Sequence, residues 1–172
     1  MITENIYHAL LSFLPALLNV GILLYIFFFL PKGKTTDIFG FFVLALVLWQ
    51  AEDTIVRLCS TAETASFWDQ MLCIGWQGFA PIALHFACRY SSLKHFHTRF
   101  SLTCIYLPFV VFYLVYMASN APSYFIYNEN WGWVNTPRPG TMDGVHRLLI
   151  SVYVIAAVFI LFRHAFSVRR NK

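Results

Sequence analysis

Charge is scarce in this 172-residue sequence: Asp, Glu, Lys and Arg together make up 12%, against 59% apolar residues. That shortage excludes a soluble globule of this size, which would need far more polar surface than the chain can supply. Motifs that mark a reaction are missing as well. No HExxH, GxSxG or paired-aspartate pattern falls on an apolar stretch, so neither a nucleophile with its base nor a pair of metal ligands is indicated. A glycine-rich nucleotide loop and a phospho-accepting histidine box are also missing, and the chain is read as non-enzymatic. The four cysteines, Cys59, Cys73, Cys88 and Cys104, have no CxxC spacing of metal-binding type. His8 and His146 are the two histidines expected at similar depth, and nothing else marks them as axial haem ligands. No metal or cofactor is therefore expected. Repeats and low-complexity tracts are lacking, which leaves a single domain over residues 1–172.

What the sequence has in quantity is long apolar runs. A helix crossing a hydrocarbon core ~30 Å thick needs roughly 20 mainly apolar residues, and five stretches qualify, near residues 7–30, 38–57, 67–90, 100–118 and 145–166. The fold class is therefore all-α, a polytopic transmembrane bundle of about five helices with the lipid bilayer as solvent. Nine of the twelve Lys and Arg residues lie in segments that alternate with segments holding seven of the eight acids. The cationic set is Lys32/Lys34, Arg89/Lys94/Arg99 and Arg163 to Lys172; the positive-inside rule makes it cytoplasmic and the topology N-out, C-in. The net charge of +4 is thus a topology signal, not a nucleic-acid footprint. Met1 to Glu4 carries no cation ahead of the first apolar run, so that run reads as a retained helix instead of a signal peptide.

Three regions hold candidate site residues. In the third span, Gln70, Gln77, Pro81, His85 and Cys88 share one face within an arc of about 80° at ~100° per residue. A polar stripe at this depth belongs against protein or water, and Pro81, with Gly75 and Gly78 before it, invites a kink. The alternative is that Gln70, Gln77 and His85 only bond neighbouring helices. At the outer end of the second span, Asp53 and Arg57 are spaced to pair at i,i+4. Glu52 has no partner in its own helix and would face either a water-filled vestibule or His146/Arg147. The outer segment 119–143 holds Tyr124, Phe125, Tyr127, Trp131 and Trp133, too aromatic for a disordered tether. Those rings form either a headgroup-level belt or a lid over a ligand pocket. Cys59 and Cys73 both fall outward, which leaves a disulfide between the second and third spans open.

The stretch from Ser66 to Ser91, SFWDQMLCIGWQGFAPIALHFACRYS, resembles the third helix of the seven-transmembrane N-terminal sensor region of bacterial histidine kinases. The matching features are aromatic and polar residues at the outer end, an Ile-Gly pair, a mid-helix Pro and an exit through Phe-Ala-x-x-Tyr-Ser. Trp49 late in the second span and Trp131-Gly-Trp-Val134 ahead of the fifth are similar too. The resemblance implies a sensory input module of a two-component-type system in a bacterial inner membrane, signalling to a kinase or cyclase portion or partner, with a homodimer allowed. It differs in having five spans, not seven, which implies a truncated or split sensor or a stand-alone module. The site residues expected on this reading are Gln70, Gln77, His85, Glu52, Trp131 and Trp133. A small transporter or channel subunit, or a structural partner of a membrane complex, is the alternative.

Overall fold

A computed structural model describes residues 2–93, 96, 98–118, 125–128, 132–135 and 141–170. Helices α1 (Ile2–Phe29), α2 (Lys34–Leu58), α3 (Ala62–Leu72), α4 (Ile74–Tyr90) and α5 (Arg99–Met117) precede strands β1 (Phe125–Asn128) and β2 (Gly132–Asn135), and helix α6 (Thr141–Arg170) follows. Five helical stretches are long and apolar enough to cross a membrane: Tyr7–Phe29, Lys34–Leu58, Ala62–Tyr90, Arg99–Met117 and Gly144–Arg169. The bundle is therefore the helical architecture expected, with two differences in detail. Its third span starts at Ala62 instead of near Phe67, because Thr61 and Thr64 form a reciprocal capping box that starts the helix outside the apolar run. That span is also interrupted at Cys73, whereas Pro81 lies inside continuous α4, fully buried. A proline removes one backbone donor, and close packing against neighbouring helices holds the turns on either side of Pro81 in register.

Helix α4 is the centre of the bundle, packed against α2, α5 and α6. Its inward face carries small residues, Gly75, Ala80 and Ala87, all buried. At Gly75 the backbones of α2 and α4 nearly touch: an added Cβ would lie 2.4 Å from the Trp49 nitrogen and 2.9 Å from the Ala45 oxygen. Lipid offers helices no hydrophobic drive to associate, so close backbone approach through small residues is what holds such pairs. Leu84, Ala87 and Cys88 of α4 form the inner core with Ile105 of α5 and Ala157 of α6.

Helix α1 packs on α2 through a stripe at i, i+3, i+7 and i+10. Ala9 and Ala16 are buried, Ser12 donates to the Asp53 carboxylate, and the Asn19 amide donates to Gln50 Oε1 at 2.9 Å. Much of the rest of α1, including Leu11, Leu14, Leu18, Ile22 and Phe27 to Phe29, is exposed, the outward face of a helix solvated by acyl chains.

The one described element that is not helical lies in the outer segment. Strands β1 and β2 pair antiparallel, Phe125 opposite Asn135 and Asn128 opposite Gly132. Phe125 buries itself against Val56 of α2 and Ala65 of α3, with Trp133 packed on the same cluster. Gly132 takes φ +73 and lies so close to α2 that a Cβ there would meet the Arg57 carbonyl oxygen at 2.3 Å. Only glycine tolerates both the left-handed backbone and that approach. The hairpin is thus fixed to the end of α2 opposite Lys34.

Candidate ligand site

Between the hairpin and the helix ends is a cavity of about 490 Å³, within the range usual for small-molecule sites. Helix α2 contributes Trp49, Glu52, Asp53 and Val56, one face at i, i+3, i+4 and i+7, together with Arg57. Asp69 comes from α3, Trp76 and Phe79 from α4, and Tyr116 from α5. Trp133 and Val134 of β2 and Arg147, Ile150 and Ser151 of α6 complete the lining. Every helix except α1 contributes, so the cavity is shaped by the relative positions of the whole bundle.

Its aromatic part is ordered by ring contacts. Trp49 and Phe79 stack with centroids 5.0 Å apart and planes 19° from parallel, and Trp76 meets Tyr116 edge-on at 5.4 Å. Trp133 packs edge-on against Tyr127 across the hairpin. The Trp133 indole N–H is buried and has no hydrogen-bond partner among the described residues.

Its charged part divides in two. Asp53 and Arg57 form the i,i+4 pair expected from their spacing, and the contact is bidentate: Arg57 Nε donates to Oδ2 at 2.9 Å and Nη2 to Oδ1 at 2.8 Å. Both are part-exposed, so the pair contributes little stability by itself. Its effect is to occupy the guanidinium. Glu52 and Asp69 face one another, the first 8% exposed and the second 2%, with their carboxyl groups within hydrogen-bonding reach. Asp69 also accepts from the Tyr116 hydroxyl. Two buried carboxyl groups this close do not both ionise; they share a proton and hold one negative charge between them, a costly arrangement for structure alone.

Of the residues expected at a site, Glu52 and Trp133 line the cavity. Glu52 faces this vestibule and Asp69, while His146 packs among Trp76, Phe109 and Phe112. Trp131 lies outside the described residues. Gln70, Gln77 and His85 do not line the cavity. Gln70 is half-buried, one position beyond the residue of α3 that turns inward, Asp69. Gln77 is 2% exposed inside the bundle, and neither its amide nitrogen nor its oxygen has a partner among the described residues. His85 lies nearer the end of α4 away from the hairpin and bonds the Tyr106 hydroxyl of α5 at 2.9 Å, a helix-to-helix link. All four cysteines are free thiols; Cys59 Sγ donates to the Ile55 carbonyl and Cys73 Sγ to that of Gln70, so the open disulfide is not formed. Sequence reasoning passed over Asp69, Trp76, Phe79 and Tyr116 as site residues, and named Arg147 only as a group that Glu52 would face. For Asp69 the signal was available: an acid inside an apolar span is a functional candidate by default.

Fold and cavity together define a polytopic helical membrane protein with a cavity of small-molecule size on the hairpin side. A family model described as the N-terminal 7TM region of histidine kinase matches residues 11–172, and the chain belongs to that family. No curated protein and no solved structure matches it.

Proposed function

We propose that this chain is the signal-perceiving module of a bacterial two-component system, taking its stimulus at the cavity beneath the hairpin and passing it to a kinase portion through α6. The observation that carries the reading is the composition of the cavity wall: α2, α3, α4, α5, α6 and the hairpin all contribute. An occupant would alter how these elements pack, and it would favour whichever arrangement it binds better. Helix α6 is suited to convey the change, because it lines the cavity at Arg147, Ile150 and Ser151 and reaches the inner core at Ala157.

A transporter would need the path to continue inward. Toward the cytoplasmic end, α4 presents buried Ala80, Pro81, Leu84, Ala87 and Cys88, a packed seam that supports perception over passage. The test uses filling of the cavity as a surrogate stimulus. Spin labels are placed at Leu93 and Val168, both exposed near the cytoplasmic ends of α4 and α6, in a background with the native cysteines replaced. Ile150→Trp, which fills the cavity, should shift the distance distribution between the labels. An unchanged distribution in bilayers, with the helical circular dichroism intact, refutes the coupling, and solute flux in liposomes would favour a transporter.

A further inference from the structure

Taking the cavity as the input site, we propose that its ligand is an organic cation: a protonated amine carried on an aromatic or apolar body with a hydrogen-bond acceptor at its other end. The charges in the lining differ in what already holds them. Asp53 is held by both nitrogens of the Arg57 fork and by Ser12, so that pair presents no net charge to a ligand. Arg147, on α6, is an exposed residue that has an interaction of its own. What remains in the interior is Glu52 and Asp69, buried and facing each other, with the Tyr116 hydroxyl already committed to Asp69. Two carboxyl groups in hydrogen-bonding contact share one proton, so the pair holds a single buried negative charge. An anionic ligand would add a second negative charge beside it, and a neutral one would not neutralise it. An ammonium group does, and its three donors reach both carboxyl groups at once.

Two independent features of the lining point to the same ligand. Trp49, Trp76, Phe79 and Trp133 surround the space with ring faces and edges, the surface that best receives a cation and the aromatic or apolar carbon next to it. The buried Trp133 indole N–H is a donor with no partner among the described residues, on a ring that lines the cavity. A ligand oxygen would satisfy it once the ring turns its edge into the cavity. The carboxyl pair, the rings and the indole donor therefore specify the cationic head, the body and the acceptor of one molecule.

The test is a matched charge series on the full chain in lipid nanodiscs, followed by tryptophan fluorescence and calorimetry. Tyramine supplies the amine, tyrosol its neutral alcohol counterpart and 3-(4-hydroxyphenyl)propionate the anion, all on one phenol. Tyramine should bind at least about tenfold more tightly than either. Glu52→Gln and Asp69→Asn, which keep volume and hydrogen-bonding capacity, should each reduce that preference. Should either variant fail to fold, the order of the three probes on the unaltered chain decides. An alcohol or anion that binds as well as the amine overturns the proposal, as does the absence of tyramine binding at about 1 mM. These outcomes concern the charge class of the ligand alone; the sensory reading is decided by the label distance under cavity filling, which uses no ligand.

Discussion

Gly75 offers the sharpest test of how the bundle is held together. Its substitution by Ala would place a Cβ 2.4 Å from the backbone nitrogen of Trp49, with the Ala45 oxygen and the Leu48 carbonyl carbon at 2.9 Å. An ordinary contact begins near 3.4 Å, so α2 and α4 would have to separate by about 1 Å. The atoms met are backbone, and no rotamer change relieves them. Overpacking of this kind costs about 1–3 kcal/mol, offset by the ~0.5–1 kcal/mol that Ala gains over Gly in a helix interior.

Gly78, one turn along the same helix, supplies the control. A Cβ there meets only the tip of the Ile82 side chain at 3.6 Å. Gly78→Ala should therefore be neutral or stabilising by up to ~1 kcal/mol. The propensity gain is common to both substitutions, so the difference between the two variants, about 1–3 kcal/mol, isolates the cost of separating the helices. Reversible unfolding in mixed micelles, titrated with SDS, measures it. Gly75→Ala should also disturb the Trp49–Phe79 stack beside the cavity, seen as a change in tryptophan emission. Equal stability of the two variants would refute the claim that backbone contact at Gly75 sets the α2–α4 distance.

Two further substitutions test the hairpin and the buried amide. Gly132→Ala combines a left-handed backbone, about 1–2 kcal/mol for a residue with a Cβ, with a 2.3 Å approach to the Arg57 carbonyl. It should release the hairpin, seen as proteolytic cleavage between Phe125 and Asn135 with helical circular dichroism unchanged; resistance equal to the unaltered chain would contradict the docking. Gln77→Leu removes a buried side chain whose two polar atoms have no partner among the described residues. It should raise stability by about 1–3 kcal/mol, the desolvation cost of an unmade hydrogen bond, and a clear loss in the same SDS titration would mean that the amide is satisfied.

The spans were legible because bilayer thickness fixes a minimum apolar length, and five stretches meet it whatever their tertiary contacts. Asp53 with Arg57 was legible for a similar reason, since i,i+4 geometry belongs to one helix. The start of the third span was not, because Thr61 and Thr64 set it through capping outside the hydropathy signal. The hairpin was read only as an aromatic segment that is either a belt or a lid. Its strands are four residues each, and what holds them in place is contact of Phe125 and Gly132 with α2 and α3, far away in sequence. The meeting of Glu52 with Asp69 depends on the register of two helices, which periodicity along either one does not contain. The polar face of the third span illustrates the same limit. Gln77 and His85 do turn towards protein, but one is sealed in the bundle and the other ties α4 to α5.

The division of the bundle into two kinds of packing bears on how a signal would travel. Away from the hairpin, α4, α5 and α6 meet through Leu84, Ala87, Cys88, Ile105 and Ala157, a close-packed core that resists gradual deformation. On the hairpin side, the same helices are separated by a cavity lined with opposed acids and rings. On the proposed sensory reading, an occupant would act where the structure is open, and the inner core would transmit the result by moving as a unit. Reversing a two-state population from 1:99 to 99:1 takes about 5.5 kcal/mol of differential affinity. A ligand in this cavity would have to draw that from contacts that differ between the two states, and the carboxyl pair is the natural source. One cation can donate to both carboxyl groups only in the arrangement that keeps Glu52 of α2 and Asp69 of α3 together. Separating those two helix ends would remove the benefit, so the conformation favoured by ligand should be the closed one, with the hairpin docked on α2.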